Sequence, residues 1–373
     1  MKIIIHSTAV LFLMFSSLFA KSFENGQIEV FISRYKDLTE KNYVLEEQIV
    51  KFIEGAQVSL AIAVQELRVK DSTVANPIKE AVLDAAERGV RVRIIVEKSY
   101  LKDGSDNMNT FIEFTQNENI HIHADENSAI FHDKFIVRDY NEKTAALLTG
   151  STNFTDTGTK NNYNHIIIFH FNEKAQKKQS YEILTRYKDE FEELWSGVFG
   201  NDQPGQEIKN YRIGKTTIKV LFSPDNDPDD DLLKTVAAAD SSLDIMMFTF
   251  GSNSPLLAAV INRFNAVKYV DKRPTGEPKV RIRVGLESQQ AQYWSVYQTF
   301  KKLGIPVKLE ADSTAKLHHK VAIIDGDRVI LGSYNWTLSA NDENDENTMI
   351  VKNPAIAAMF TEAFNELWDK VLK

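Results

Sequence analysis

The apolar positions of the chain form short strand-like runs separated by stretches with helical spacing, and the same order occurs twice. Opening strands are predicted by IEVFISRYKD at 28–37 and by IKVLFSPDND at 218–227. A helical stretch and a second strand follow each, ending in EGAQVSLAIAV at 54–64 and AADSSLDIMMF at 238–248. An amphipathic helix and a further strand come next in both halves, with a polar insertion at 268–278 that predicts a loop. This alternation predicts an α/β fold, with a sheet covered by helices in each half.

Both halves also end alike, and a polar stretch separates them. A matched helix closes each half, YKDEFEELWSG at 187–197 and FTEAFNELWDK at 360–370. Residues 201–216 are rich in turn formers, which predicts a linker. We therefore predict two similar domains, residues 25–200 and residues 217–373. Two domains suit a chain of 373 residues, because a single core seldom grows to that size.

The first twenty residues have the pattern of a signal peptide. Lys2 precedes a long apolar run, and small residues lie near Ala20, which predicts cleavage after Ala20. The run from Ile3 is also almost long enough to remain as a membrane anchor. We expect a secreted or periplasmic protein. The chain has no cysteine, so its folded state has to be stable without disulfides.

Three residues with chemical potential recur at identical spacing in the two halves: His132, Lys134 and Asp139 in the first, and His318, Lys320 and Asp325 in the second. Each residue is separated from its counterpart by 186 positions. Because side chains alternate across a strand, the histidine and the lysine share one face and can share a substrate. The aspartate falls on the other face, where we expect it to brace the structure or to contact a different element.

A second repeated motif lies after a predicted hairpin, GSTNFT at 150–155 and GSYNWT at 332–337. Its serine and asparagine are two positions apart, so a hydroxyl and an amide could donate to the same anion: Ser151 and Asn153, and Ser333 and Asn335. One cation, one imidazole and two neutral donors make a pocket that suits a phosphate group.

HxKxxxxD followed by GSxN, twice in one chain, resembles the phospholipase D superfamily of phosphodiesterases. The resemblance implies two α-β-α sandwich domains with mixed sheets, related by a pseudo-twofold axis, with the active site at their interface. It implies that one histidine attacks phosphorus and forms a phosphohistidine, while the other protonates the leaving alcohol. Asp139 and Asp325 belong to the motif and are assigned to the catalytic set. No metal and no cofactor are implied, because Lys134 and Lys320 supply positive charge.

Members of this superfamily also place a carboxylate downstream, where it can orient a histidine ring. The second half has Glu346, and the first half has Asn164 at the corresponding position, 182 residues earlier. If each residue serves its own half, the carboxylate favours His318 as nucleophile. Tandem relatives favour His132 instead, and Asp133 could replace the missing carboxylate. Both assignments stay open, and we take His132 as the working hypothesis.

The remaining histidines are assigned simpler roles. His121 and His123 share a strand face, as two metal ligands would, but no third ligand is evident and we expect an exposed face. We expect His165 and His170 to satisfy local hydrogen bonds in an apolar strand. His319 follows the catalytic histidine and is expected to point away from the site.

Charge helps to select a substrate class. The net charge is −8, without the basic signature that binding to nucleic acid usually requires. Two acidic runs, at 225–231 and 341–346, are predicted to be solvated loops. Because the second run lies close to the predicted site, its charge would resist a long polyanion more than a single headgroup.

The leading hypothesis is an exported, metal-independent hydrolase or transphosphatidylase that acts on phospholipid headgroups at a membrane surface. A non-specific endonuclease of the same superfamily, with nucleic acid as substrate, is the main alternative. A cardiolipin-synthase-like headgroup transferase and an inactive binding module are further alternatives. We expect a monomer with no obligate protein partner, because one chain carries both motifs.

Overall fold

The computed structural model describes residues 20–68, 76–101, 106–171, 179–270, 273–294, 296–311 and 315–373. The predicted signal peptide lies outside these residues except for Ala20. No helix within the described ranges is long and apolar enough to cross a membrane.

The first half of the chain forms one large mixed sheet. Its strands are β1 (Ala20–Phe23), β2 (Ile28–Ile32), β3 (Ser59–Val64), β4 (Leu67–Arg68), β5 (Arg91–Val96), β6 (Ile120–Ala124), β7 (Lys134–Arg138), β8 (Ala146–Gly150), β9 (Phe154–Thr155) and β10 (His165–His170). The order in the sheet is β1-β2-β10-β8-β7-β3-β5-β6, and β4 pairs with β9 outside it. β3, β5 and β6 are parallel, and the other pairs in the sheet are antiparallel.

The second half repeats this sheet. Its strands are β11 (Asn210–Ile213), β12 (Thr216–Ser223), β13 (Ser242–Met247), β14 (Val267–Val270), β15 (Arg273–Pro278), β16 (Arg281–Leu286), β17 (Val307–Leu309), β18 (Lys320–Ile324), β19 (Arg328–Gly332) and β20 (Glu346–Lys352). The order is β11-β12-β20-β19-β18-β13-β16-β17, which matches the first sheet strand for strand. β11 lies within the stretch predicted as a linker and is the edge strand beside β12. The insertion predicted as a loop is instead a hairpin of β14 and β15.

Helices cover both sheets. They are α1 (Tyr35–Thr39), α2 (Val44–Glu54), α3 (Pro77–Glu87), α4 (Asp106–Phe114), α5 (Glu182–Trp195), α6 (Pro228–Ala237), α7 (Pro255–Phe264), α8 (Ser288–Trp294), α9 (Val296–Leu303), α10 (Leu338–Asp342) and α11 (Pro354–Lys370). α3 and α7 begin with the same two sequence features. Each has proline at its start, and the side chains of Asn76 and Ser254 accept hydrogen bonds from the first free N–H groups.

The two sheets share a central core. Their inner faces pack with α5 and α11 into one apolar cluster, whereas the outer face of each sheet packs against its own helices. At the centre, the ring of Tyr187 contacts Phe135 and Phe222, with 5.0 Å between ring centroids in both pairs. The predicted pair of similar α-β-α domains is therefore confirmed, and their interface is a packed core.

Candidate active site

The two halves hold each other's histidines by main-chain contacts. The N–H of His132 donates to the carbonyl of Asp345, at 2.9 Å, and the N–H of His318 donates to the carbonyl of Tyr163, at 3.0 Å. These contacts belong to two isolated parallel bridges that are equivalent under the repeat. β7 and β18 begin two residues after each histidine, so the interface brings both motifs to one site.

The side chains of the histidines also exchange partners between the halves. His132 Nδ1 lies 2.6 Å from Glu346 Oε2, and His318 Nδ1 lies 2.9 Å from Asn164 Oδ1. The expectation that each partner serves the histidine of its own half is therefore wrong. The reciprocal packing aims each partner across the interface, so the carboxylate contacts His132. Asp133, considered as a substitute, is fully buried beside a histidine that already has a carboxylate.

Both lysines are buried in the same site. Lys134 Nζ donates to the carbonyl of His132, at 2.6 Å, and Lys320 Nζ donates to the carbonyl of His318, at 3.0 Å. Lys320 Nζ also lies 3.2 Å from His318 Nε2. Burial lowers the pKa of Lys134 to about 8, and burial with the nearby Lys134 charge lowers the pKa of Lys320 well below its usual range. A bound anion would stabilise both positive charges.

Burial and the lysines keep the two histidines neutral. Burial, Lys134 and Lys320 each lower the pKa of His132, and the same groups lower the pKa of His318 well below its usual range. Burial raises the pKa of Glu346 to about 8, although the charge of Lys134 and the hydrogen bond from the Ser333 hydroxyl oppose that rise. Since both lysines act on both histidines, the four groups surround one space. Nδ1 of each ring faces its partner, which leaves Nε2 for chemistry.

The two GSxN serines do not take the role expected from the sequence. Ser151 Oγ donates to Asn164 Oδ1, and Ser333 Oγ donates to Glu346 Oε2, both at 2.8 Å. Neither hydroxyl is exposed to solvent, so the prediction that the serines donate directly to an anion is wrong. They instead orient Asn164 and Glu346, the partners of the two catalytic histidines.

The GSxN asparagines are half-buried, in contrast to the fully buried serines of the same motif. Asn153 Nδ2 donates to Gln65 Oε1, at 3.2 Å. The oxygen of Asn335 accepts from the N–H of Thr249, at 3.3 Å, which leaves its amide nitrogen for other contacts. Their role as substrate donors stays a prediction.

The two motif aspartates lie at the far ends of β7 and β18 and are structural. Asp139 accepts hydrogen bonds from the N–H groups of residues 57–59, at 2.8–2.9 Å, and from Thr144 Oγ1. Asp325 accepts from the N–H groups of residues 240–242. Their assignment to the catalytic set is therefore wrong, and the bracing role predicted from the strand period is confirmed.

The other histidines include one unexpected pair. His165 Nδ1 lies 3.0 Å from His319 Nδ1, and both rings are fully buried between the halves. His170 contacts a glutamate of β2. His121 and His123 lie on the exposed face of β6, as expected. Across the described ranges, no group of three or more histidines and acidic residues is placed to hold a metal ion.

One residue of the site, Phe248, was not predicted from the sequence. The ring of Phe248 lies 4.6 Å from the ring of His318, and Lys320 Nζ lies 4.6 Å from the centroid of Phe248. When the sequences of β3 and β13 are aligned, Gln65 in the first half corresponds to Phe248 in the second. This difference between the halves could therefore have been found from the repeat. The two half-sites therefore differ chemically at this position.

The acidic runs are only partly solvated. Asp345 is fully buried, where it accepts from the N–H of Gly200 and the amide of Asn127. In the other run, Asp229 is buried and accepts from the hydroxyl of Tyr334. The prediction of two solvated loops is wrong for these residues, because the carboxylate of Asp345 has partners from the other half and that of Asp229 has a buried partner in its own half.

Comparisons with known proteins agree with this architecture. The family model described as "Cardiolipin synthase, PLD-like domain" matches residues 49–195 and 232–368. The solved structure of phosphatidylserine synthase from Haemophilus influenzae Rd KW20 superposes with a TM-score of 0.65 and 13% identity, covering 95% of this chain and 88% of that chain. At this identity the superposition shows the fold alone.

Two curated relatives are similar in sequence. The mitochondrial cardiolipin hydrolase of Chlamydomonas reinhardtii is 33% identical over 138 residues, 37% of this chain and 56% of that protein. The phospholipase D of Rickettsia bellii (strain RML369-C) is 32% identical over 163 residues, 43% of this chain and 74% of that protein. The chain thus spans little more than half the length of the first relative. With the family model matching both halves, the chain belongs to the phospholipase D superfamily, whose enzymes act on phosphodiester bonds.

Proposed function

We propose that the protein is an exported phosphodiesterase that cleaves phospholipid headgroups through a phosphohistidine. The observation that carries the proposal is the pair of neutral imidazoles from opposite halves, each held through Nδ1 and accompanied by a buried lysine. This arrangement offers a nucleophile, a proton donor and positive charge to a single phosphate.

His132 is the proposed nucleophile, because its Nδ1 faces Glu346, whose carboxylate form stabilises the charge that develops on the ring. That developing positive charge in turn lowers the raised pKa of Glu346 and favours its ionised form. The lone pair of His132 Nε2 attacks phosphorus, and the bond from phosphorus to the leaving oxygen breaks. Protonated His318 gives its Nε2 proton to that oxygen. The charge of the bound phosphodiester raises the pKa of His318, which makes this protonated form accessible.

The second step reverses these roles. Neutral His318 accepts a proton from water, the water oxygen bonds to phosphorus, and the bond from phosphorus to His132 breaks. The electron pair of that bond returns to His132 Nε2. An alcohol in place of water gives headgroup transfer by the same route. Lys134 and Lys320 stabilise negative charge on the nonbridging oxygens during both steps.

The choice of a lipid rests on relatives and on charge. Relatives similar in sequence carry the names cardiolipin hydrolase and phospholipase D. The net charge of −8 and the exposed Asp342 and Glu343 beside the site disfavour a long polyanion. We therefore propose a phospholipid at a membrane surface as the substrate and treat nucleic acid as an outcome of the test.

The test offers the purified protein vesicles of phosphatidylcholine or phosphatidylethanolamine, and separately single-stranded DNA and RNA, with a chelator present. Headgroup release that His132→Ala abolishes, and that the exposed control His121→Ala retains, supports the proposal. Cleavage of nucleic acid without lipid turnover contradicts the lipid assignment. Loss of activity on adding the chelator contradicts the metal-independent mechanism.

Export is a separate part of the proposal and rests on residues 1–20 alone. We expect the mature protein to begin at Lys21 and to be recovered outside the cytoplasm. N-terminal sequencing of the protein from fractionated cells checks both points. Intact residues 1–20 in a membrane fraction would instead indicate a retained anchor.

A further inference from the structure

A chain of hydrogen bonds runs behind His318 and crosses the interface. It contains Asn164, Ser151, His165 and His319, which are all buried. The direction of each hydrogen bond in this chain can be derived, because several members have only one way to satisfy their partners.

Asn164 fixes the first hydrogen bond. Its amide nitrogen donates to the carbonyl of Gly158, at 2.9 Å, so its oxygen faces both His318 Nδ1 and Ser151 Oγ. An amide oxygen can only accept. His318 must therefore carry a proton on Nδ1, and the Ser151 hydroxyl must donate to Asn164.

Ser151 fixes the second part of the chain. Its single proton goes to Asn164, so its oxygen accepts from the N–H of His165, at 3.1 Å, and from His165 Nδ1, at 3.2 Å. His165 therefore carries its proton on Nδ1. His319 Nδ1, 3.0 Å away, accepts from the same proton, which places the proton of neutral His319 on Nε2. Burial lowers the pKa of both rings, and that of His319 to about 3, so both stay neutral.

The other half-site has no such chain. The residues equivalent to His165 and His319 are Asn347 and Asp133, and the partner of the histidine there is a carboxylate. Asn347 donates to the hydroxyl of Thr149 and accepts from the N–H of Lys134, so its amide connects β20 to β8 and β7 of the other sheet. The imidazole pair is therefore specific to the His318 side.

We propose that His165 and His319 are positioning residues that orient His318 through Ser151 and through Asn164, whose oxygen keeps the proton of neutral His318 on Nδ1. The inference rests on the proposed function for its catalytic consequence, because His318 is the acid and base of that reaction. The neutral chain orients the ring without the charge of a carboxylate. It thus keeps His318 a weak base and, once protonated, a strong acid toward the leaving oxygen.

The lysines and histidines around His318 agree with this role. Lys320, Lys134, His132 and His319 face it from both halves, and each lowers its pKa. Because these groups all disfavour the protonated ring, its stabilisation depends on the Asn164 oxygen, whose orientation Ser151 holds. Loss of that orientation should weaken the protonated form further and leave the leaving oxygen without its proton.

Two substitutions of His165 separate a hydrogen-bond role from a packing role. His165→Asn keeps a donor near the position of Nδ1, and asparagine is the residue at the equivalent position of the other half. His165→Leu keeps bulk but has no donor. We expect His165→Leu to lower kcat/KM for phosphatidylcholine about tenfold and to move the basic limb of its pH profile down by roughly 0.5 to 1 unit. We expect His165→Asn to remain within about threefold of the unsubstituted protein.

The leaving group provides a second readout. Phosphatidyl-p-nitrophenol releases a weakly basic phenolate that needs little protonation, so His165→Leu should lower its kcat/KM less than about twofold. An equal loss on both esters, or an equal loss in both variants, overturns the proposal, because it indicates damaged packing. Thermal unfolding of each variant, with His121→Asn as the exposed control, measures the folded fraction.

The tautomers can be measured directly in the unsubstituted protein by ¹⁵N spectroscopy of labelled histidines. We expect the proton on Nδ1 of His318 and His165 and on Nε2 of His319. A proton on Nε2 of neutral His318 overturns the proposal, even if His165→Leu does not fold. If the protein cleaves neither ester, the proposed function fails, and the tautomers still decide the order of protons in the chain.

Discussion

The two half-sites share one scaffold but differ in what lies behind the histidine. Behind His132 lies a carboxylate, Glu346, which is the partner of its Nδ1. Behind His318 lies an amide, Asn164, backed by the neutral imidazoles of His165 and His319. Symmetry therefore sets where the groups lie, whereas the chemistry of the partner divides the work. A carboxylate supports a ring that becomes positively charged on attack, and an amide supports a ring that has to release its proton.

The largest expected effects come from removing each histidine in turn. We expect His132→Ala to abolish the covalent intermediate and to lower kcat by about 10⁴-fold or more, since no nucleophile replaces it. We expect His318→Ala to lower kcat/KM for an alkyl leaving group by roughly 10²- to 10⁴-fold, but to retain attack on phosphatidyl-p-nitrophenol. Rapid quenching followed by mass spectrometry should find the phosphatidyl group on His132.

The division of roles between the two half-sites is contradicted if the covalent intermediate is found on His318. A phosphatidyl group trapped there, in the unsubstituted protein or in His132→Ala, would exchange the two roles and remove the argument from Glu346. The matched control is His121→Ala, which should form the intermediate on His132 at an unchanged rate.

Exchange of the partners is the next largest change. We expect Glu346→Gln to lower kcat by roughly 10²- to 10³-fold, because an amide orients His132 without stabilising its positive charge. We expect Asn164→Asp to change kcat less than about tenfold, but to raise the pKa of His318 and move the basic limb of the pH profile upward. Full pH profiles of kcat/KM for both variants check these outcomes.

Equal losses from the two substitutions would show that the difference between the partners has no functional meaning. A downward shift of the basic limb in Asn164→Asp would contradict the electrostatic argument, because a nearby negative charge favours the protonated ring.

Much of the site was predictable from the repeat. The strand period placed His132 and Lys134 on one face and turned Asp139 away, as the structure has them. Equal spacing in both halves identified His132 and His318 as counterparts, and the resemblance to the phospholipase D superfamily implied that they share one site. These inferences need only local geometry and the assumption that the halves pack together.

The partner exchange was not predictable in this way. Within one half, Glu346 follows His318 at the same distance at which Asn164 follows His132, so sequence spacing pairs each with its own histidine. Only the reciprocal packing aims Glu346 at His132. The buried Asp345 was missed for a related reason, since an acidic run is solvated unless another chain segment, here the loop with Asn127, supplies donors.

The motif aspartates offer a test in which stability and activity separate. Asp139 accepts four hydrogen bonds, and one of its partners is a hydroxyl. We expect Asp139→Asn to lower the free energy of unfolding by roughly 2 to 3 kcal/mol, because an amide cannot accept all of them. Asp325→Asn should behave alike, while kcat per folded molecule stays unchanged in both. Urea unfolding and active-site titration check this pair of results, and a loss of kcat without a loss of stability would return the aspartates to the catalytic set.

The smallest expected effect concerns Asp225, a carboxyl group of the second half that acts electrostatically on Asp133 beside His132. Burial, opposed by Arg186, raises the pKa of Asp225 to about 7. The folded protein therefore holds an extra proton between about pH 4, where an unfolded aspartate titrates, and about pH 7. The stability that this proton contributes is complete below pH 4 and is lost as the pH rises through 7.

Asp225→Asn has no such proton to lose, so its stability relative to the unsubstituted protein should rise with pH, by roughly 1 to 2 kcal/mol between pH 5 and pH 8. Urea unfolding at pH 5, 6.5 and 8 measures this difference. Asp230→Asn, at an exposed position of α6, is the matched control because it also removes one carboxyl group. An equal dependence on pH in the two variants would contradict the argument.

The buried histidines behind His318 act in the opposite direction. Their pKa values are lowered by burial, so the stability they contribute is lost as the pH falls below about 6.5. Asp225 and the buried histidine pair therefore limit the stability of the folded chain from opposite sides of the pH range.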